Sequence, residues 1–321
     1  MAGSDSGEGV GMAVVLGAGD VEVDLPRLAV ELTEALRAGS AGPVGAAGPV
    51  GAAGPGQRVR VPVTPDVTAM ILVPGLAPGI PAYTVKVHAK NPNRSPAITG
   101  VICLHDLETG DLLALIDSAG LTALRTGLGG ALGAHLLARP DARTVTVIGA
   151  GAQGRAQLEA LAALRPIDSV EVRDTNPAAE VEFVAWAAGL GITAVAGDAS
   201  GGVGEIVLMA TWSREPVLHR VPPGTHVTSL GADEPGKAEL APELLAGALV
   251  VVDDAGLAHV AADTTIGAVL RGEHAGRSSA DQVTVYSPAG LPMQDLVIAW
   301  HVYRNACRKS PAVFDVGMSR R

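Results

Sequence analysis

The sequence predicts an α/β protein with two dissimilar parts, and three observations carry that prediction. From Thr144 onward short apolar strands alternate with helices, the pattern of a doubly wound parallel sheet. The first of those strands runs directly into Gly149-x-Gly151-x-x-Gly154 and a helix. Before Ser118, strands come as short, turn-linked neighbours, which predicts an antiparallel or mixed sheet.

Taken in order, Val14–Leu16 reads as a strand, and Leu25–Arg37 places Leu25, Leu28, Ala29, Leu32 and Leu36 at helical spacing opposite its charges. Strand-like segments follow at Gln57–Val63, Ala69–Val73, Tyr83–His88, Thr99–Asp106 and Leu112–Ile116, separated by Pro, Gly and Asn. Ser118–Ala138 is an Ala/Leu/Gly-rich helix. The alternating half contains strands at 145–148, 169–173, 193–196, 206–210, 225–229 and 249–252, with helices at 152–164 and 178–188. Gln282–Tyr286 is a strand and Met293–Arg304 an amphipathic helix, expected to return onto the N-terminal sheet.

Composition removes several functions. The chain has 321 residues, net charge −10, 48% hydrophobic residues and only three Trp, three Tyr and two Phe. That length fits about two domains. An acidic, aromatic-poor chain lacks the basic footprint and stacking platforms of a nucleic-acid binder. No apolar run spans a membrane, and MAGSDSGEGVGM lacks a basic region before an apolar stretch, so a cytoplasmic protein is expected. Cys103 and Cys307 have neither CxxC spacing nor neighbouring histidines; no metal site is expected, and both read as buried thiols. Of the 41 glycines, those at 42, 45, 48, 51 and 54 form a short triplet run, too brief for a collagen helix and read as a flexible Gly/Pro/Ala insertion over 42–56.

The motif TVTVIGAGAQGRAQLEAL has the strand–turn–helix context that gives a glycine signature meaning. Gly149 permits the turn, Gly151 lets backbone approach a pyrophosphate, and Gly154 lets helix and strand touch. Ala152 and Gln153 open a helix whose free N–H groups attract phosphate. Asp174 ends the next strand at about the spacing, roughly 20 residues, expected of the acid that binds ribose hydroxyls. It favours NAD; adjacent Arg173 leaves NADP possible. Lysine is scarce, yet Lys86 and Lys90 lie with His88 on one face of a strand. Arg125 interrupts an apolar helix and should face a cleft or a partner. Cations beside a cofactor site suit a carboxylate substrate.

Six segments, TVKVHAKNP, DLETGDLLALIDSAGLTALRTGLGGALGAHLLARPDA, VIGAGAQGRAQLEAL, MATWSREPVL, SLGADEPGKAEL and SPAGLPMQDL, stand in the order seen in the ornithine cyclodeaminase / mu-crystallin family, which the chain resembles from about Gln57 to Ala306. The resemblance implies a Rossmann-type NAD-binding domain (126–291) inserted into an α+β substrate-binding and dimerisation domain formed by both chain ends (1–125 plus 292–321), and a homodimer. It implies hydride transfer between nicotinamide and the α-carbon of an amino acid or imine. Lys86, Arg125 and either Arg58 or Arg60 would hold the substrate carboxylate; Asp233, with Lys86, would be catalytic, Asp233 as acid/base. Thr126, Thr211, Ser213, Ser287 and Gly290 would line the cofactor. Three outcomes stay open: an amino-acid dehydrogenase or imine reductase, a cyclodeaminase forming proline or pipecolate, and a non-catalytic NAD(P)- or ligand-binding protein like mu-crystallin.

One departure bears on substrate. Where ornithine cyclodeaminases carry a glutamate two residues before Met-Pro, this chain has Ile71 before Val73-Pro74. An apolar side chain leaves a distal ammonium unpaired, at a cost of several kcal/mol. A small or apolar amino acid, or a cyclic imine, is expected instead.

Overall fold

The computed structural model describes residues 12–39, 59–61, 69–91, 94, 98–198, 201–231, 236–309 and 313–315. The 42–56 insertion, Arg58 and Asp233 lie outside these residues.

Along the chain, β1 (Met12–Leu16) leads into α1 (Leu25–Gly39), which buries Leu28, Ala29, Leu32 and Leu36 as the spacing predicts. Then come β2 (Val59–Val61), β3 (Ala69–Gly75), β4 (Ala82–Lys90), β5 (Ile98–Asp106) and β6 (Leu112–Asp117). These five form an antiparallel meander, while β1 lies parallel to β6. The Asp117 carboxylate accepts the Ala119 N–H at 3.0 Å and starts α2 (Ser118–Leu137). A domain boundary between residues 125 and 126 therefore falls inside one continuous helix.

The second half follows with β7 (Thr144–Ile148), α3 (Ala152–Leu164), β8 (Ser169–Arg173), α4 (Pro177–Gly189), β9 (Thr193–Ala196), β10 (Ile206–Met209) and β11 (His226–Ser229). Next are α5 (Pro242–Ala246), β12 (Leu249–Val252), β13 (Thr264–Thr265), α6 (Ile266–Leu270) and β14 (Thr284–Tyr286). All eight strands are parallel, in the order β13-β12-β14-β11-β10-β7-β8-β9. The chain winds outward in opposite directions from β7, which places a ligand crevice beyond the carboxyl ends of β7 and β10. Finally α7 (Pro292–Cys307) returns to β3, β4 and β5, and β15 (Val313–Asp315) pairs with β1. The first sheet is thus built from both chain ends, in the order β15-β1-β6-β5-β4-β3-β2.

Helix α2 joins the two sheets. Its apolar surface is interrupted by glycines where neighbours come close: a Cβ on Gly133 would sit 2.0 Å from the Tyr286 ring, and one on Gly127 would sit 2.6 Å from Ala156. Larger side chains there would separate the sheets.

Two expectations are corrected. Helix α7 is not amphipathic over its first turns: Pro292 through Ala299 are all buried, because the first sheet, α1 and α2 surround it. The cysteines are not both buried either, since Cys307 is exposed near the end of α7 and Cys103 half-buried on β5. Burial still pushes the Cys103 thiol up. Among the described residues, no helix is long and apolar enough to cross a membrane.

At the foot of the parallel sheet His226 is fully buried between the hydroxyls of Thr284 (2.9 Å) and Thr228 (3.0 Å). Burial, with Arg277 and Arg165 nearby, lowers its imidazole pKa to about 3. The fold therefore holds a neutral histidine whose unfolded form titrates near 6.5. Its contribution is complete above pH 6.5 and is lost as pH falls toward 3, at up to about 1.4 kcal/mol per pH unit. Denaturant titrations from pH 7 to 4 should show a shallower acid loss in His226→Asn than in the wild type; equal slopes would remove His226 as the cause.

Candidate active site

Three carboxylates that accept backbone N–H groups shape the carboxyl ends of the parallel strands. At β7 the chain leaves the sheet through Gly149, whose φ of +107° and 2.6 Å clearance from the Ala210 carbonyl, measured from a would-be Cβ, exclude a side chain. A Cβ on Gly154 would lie 2.1 Å from the Gly149 carbonyl, whereas Gly151 faces open space. Helix α3 starts there with no side-chain cap, so the amides near Ala152 and Gln153 are left for an anion. Asp174 is fixed at the tip of β8: its carboxylate accepts the Ala150 N–H at 2.8 Å and the Asn176 N–H at 2.9 Å. Arg173 turns aside to Glu171 and the carbonyls of Gly201 and Gly202. These features fit a dinucleotide with free ribose hydroxyls: a cradle that a Cβ would fill, an uncapped helix and an acid in place.

The loops after β10 and β11 are tied together by Glu239, which is completely buried. It accepts from the Thr211 N–H (2.6 Å) and hydroxyl (2.8 Å), the Ser229 hydroxyl (2.7 Å) and the Gly231 N–H (2.8 Å). Four donors on one carboxylate offset its desolvation. Asp253, at the end of β12, does the same for the loop after β14, accepting from Ala289 (2.9 Å) and Gly290 (2.7 Å). The described ends of these three loops are thereby held in place.

The opposite wall comes from the first sheet. Lys86 and His88 are buried in the interior strand β4. The Lys86 ammonium, 1% exposed, lies 2.8 Å and 2.7 Å from the two oxygens of Asp295 on α7. Arg125 reaches the same carboxylate with Nε at 3.4 Å, and its Nη1 lies 3.5 Å from Gln294 Oε1. Ile71 and Val73 on β3 add a buried apolar patch beside Lys86. The cleft between these walls has a cavity volume of about 120 Å³. Trp212 and Lys237 stand on it, the ammonium 4.2 Å from the ring centroid.

Of the residues expected from sequence, Lys86, Arg125, Thr126, Gln153, Thr211 and Gly290 line this cleft. Ser213 does not, because its hydroxyl bonds the Glu215 carbonyl within its own loop. Ser287 does not either; it is buried at the end of β14 with its N–H on the Val251 carbonyl. Arg60 lies in β2 opposite Ile71. Sequence reading missed Asp295, Gln294, Glu239 and Asp253. The first three sit inside motifs it had marked, as the QD of SPAGLPMQDL and the E of GKAEL.

An inverted strand order around a glycine cradle, with cations across the crevice, defines a Rossmann-type dinucleotide-binding protein. The chain belongs to the ornithine cyclodeaminase/mu-crystallin family, whose model matches residues 52–310. It is 35% identical to an alanine dehydrogenase of Archaeoglobus fulgidus over 246 residues, covering 70% of this chain and 76% of that one. Among solved structures, an archaeal alanine dehydrogenase dimer with bound NAD superposes with a TM-score of 0.83 at 27% identity, covering 95% of this chain and 99% of that one. The Δ1-pyrroline-2-carboxylate reductase of Thermococcus litoralis, in complex with NADH and L-proline, gives 0.81 at 25% identity over 93% and 98%.

Gly154→Ala should drive its Cβ into the Gly149 carbonyl and push α3 away from β7. The melting temperature should fall by several degrees, and NADH should quench tryptophan emission far less than in the wild type. Unchanged quenching would mean that the cradle is not the dinucleotide site.

Proposed function

We propose that this protein is an NAD-dependent oxidoreductase of carbon–nitrogen bonds, an amino-acid dehydrogenase or imine reductase acting on a small or apolar 2-amino or 2-imino acid. The observation that carries the reading is the buried cluster of Lys86, Arg125 and Asp295 beside the Ile71–Val73 patch, across the cleft from the glycine cradle. Lys86 and Arg125 converge on one point of the cleft, a pairing of cations suited to a carboxylate. Lys86 and Arg125 hold that carboxylate, with Arg58 or Arg60 as a third contact; the apolar patch takes the side chain.

Bound NAD supplies or accepts hydride at the substrate α-carbon. Gly149, Gly151, Ala152, Gln153 and Gly154 hold its pyrophosphate, and Asp174 its ribose. With Arg173 bonded to Glu171, no described residue at this corner favours a 2′-phosphate, and NAD is preferred over NADP. Thr126, Thr211 and Gly290 lie toward the nicotinamide, with Ser213 and Ser287 behind the walls they extend. Asp233, two residues beyond the clamped Gly231, moves the proton at the nitrogen or activates water for deamination. Residues 126–291 form the NAD domain. Residues 1–125 plus 292–321 form the substrate and dimerisation domain, paired as a homodimer in the cytoplasm.

The purified protein should oxidise NADH with pyruvate plus ammonia or with a cyclic 2-imino acid such as Δ1-pyrroline-2-carboxylate, and reduce NAD with alanine or proline. Conversion of ornithine to proline or of lysine to pipecolate should be slower, since Ile71 offers the distal amine no charge. Asp233→Asn should lose about 100-fold or more in kcat. NADH binding without turnover of any of these would leave a ligand-binding protein; ornithine as the fastest substrate would make it a cyclodeaminase.

A further inference from the structure

One face of α2 lines the cleft, with Thr122, Arg125, Thr126, Gly129 and Gly130 recurring at the three- and four-residue spacing of a helical stripe. The substrate and cofactor readings above use Arg125 and Thr126. Thr122, one turn earlier, has no part in either. It is 4% exposed, and its hydroxyl has no hydrogen-bond partner among the described residues. A helical threonine has a local remedy, because its hydroxyl can bond the carbonyl four residues back. Thr33 in α1 does so, donating to the Ala29 carbonyl at 2.7 Å. Thr122 does not, although the Ser118 carbonyl stands four residues before it in the same helix. A buried hydroxyl without a partner carries its desolvation penalty in the empty protein, and a valine would occupy much the same space without that penalty. A ligand that supplies the acceptor removes it.

We propose that Thr122 is a substrate-binding residue whose hydroxyl donates to the substrate carboxylate beside Arg125. This rests on the carboxylate-binding reading above. Residues three apart on a helix are surface neighbours, so Thr122 stands next to Arg125 on the cleft wall. The two ends of the stripe meet different parts of the molecule. Gly130 lies against the parallel sheet, where a Cβ would come 3.3 Å from Thr228 and Leu230. Thr122 is in the second turn after β6, at the end of α2 that leaves the first sheet. It therefore belongs to the substrate end of the stripe and Gly130 to the cofactor end. A hydroxyl turns to suit its partner, and its bond to a carboxylate is stronger than one between neutral groups. Threonine at this position thus lowers the stability of the empty protein and raises the affinity of the cleft for its ligand.

The test is calorimetric titration of pyruvate and of L-proline into the NADH-loaded protein, for wild type, Thr122→Val, Thr122→Ser and Thr122→Ala. NADH affinity and the melting temperature of the unliganded protein are recorded for each. Thr122→Val should bind both carboxylates about tenfold more weakly, with NADH affinity unchanged and a melting temperature equal to or above that of the wild type. Thr122→Ser keeps the hydroxyl and loses a methyl group: it should melt lower yet bind within about threefold of the wild type. Affinity and stability thus move in opposite directions in the two variants, whereas a merely structural role makes affinity follow the melting temperature. Wild-type affinity in Thr122→Val would overturn the proposal and leave the carboxylate-binding reading standing. So would weaker binding of L-proline alone, which would place the hydroxyl at the nitrogen, or an equal loss of NADH affinity, which would place it on the cofactor. Failure of the wild type to bind either carboxylate would overturn both. Should Thr122→Val not fold, wild-type affinity in Thr122→Ala would overturn the substrate contact.

Discussion

A lysine that is 1% exposed is the constraint around which the molecule is arranged. An ammonium taken out of water costs several kcal/mol unless it is paired in good geometry. Strand β4 places Lys86 in the middle of a sheet, where its strand neighbours offer only apolar partners. Compensation has to come from outside the sheet, and α7 brings it. That helix must then lie flat on β3 and β4 with its first turns buried, which explains why Pro292 through Ala299 are all enclosed. Arg125 joins from α2, so the two helices that cross between the sheets meet at the same carboxylate.

The cofactor side obeys the same logic with the sign reversed. Glu239 and Asp253 are buried carboxylates, each satisfied by backbone N–H groups and, for Glu239, by two hydroxyls. Backbone donors cannot drift as side chains do, so each acid fixes the path of a loop. Two buried charges thus hold the described parts of the cleft walls in place. What the described residues present to a ligand is the Lys86–Arg125–Asp295 cluster, an uncapped helix and an apolar patch.

Most of the fold was legible in the sequence because its determinants are local. Gly149, Gly151 and Gly154 are spaced by the turn they make, and the helical stripe of α1 is spaced by its own periodicity. The short α5, α6 and β13 carry too few residues to show a period, and none was foreseen. In the site, Lys86 and Arg125 stood out as rare charges in apolar settings. Asp295 did not, because an aspartate in the first turn of a helix is ordinary and its partner lies 209 residues away. Glu239 escaped for a related reason: its role is to gather donors from two loops that only the folded sheet brings together. The amphipathic reading of α7 failed because a helix enclosed on several sides has no solvent face for its polar residues to mark.

The separation between Lys86 and Asp295 has a bearing on how the chain acquires its structure. Synthesis delivers β4 before the parallel sheet and α7 after it. Until then the first sheet lacks β15 and the helix covering β3 and β4, and the lysine has no α7 carboxylate to close on. The parallel sheet, whose strands all lie within 144–286, is free to form in the meantime as a folding unit of its own. The Lys86–Asp295 pair therefore closes only once α7 has emerged, and a ribosome-stalled fragment ending before Pro292 would lack that side of the substrate wall.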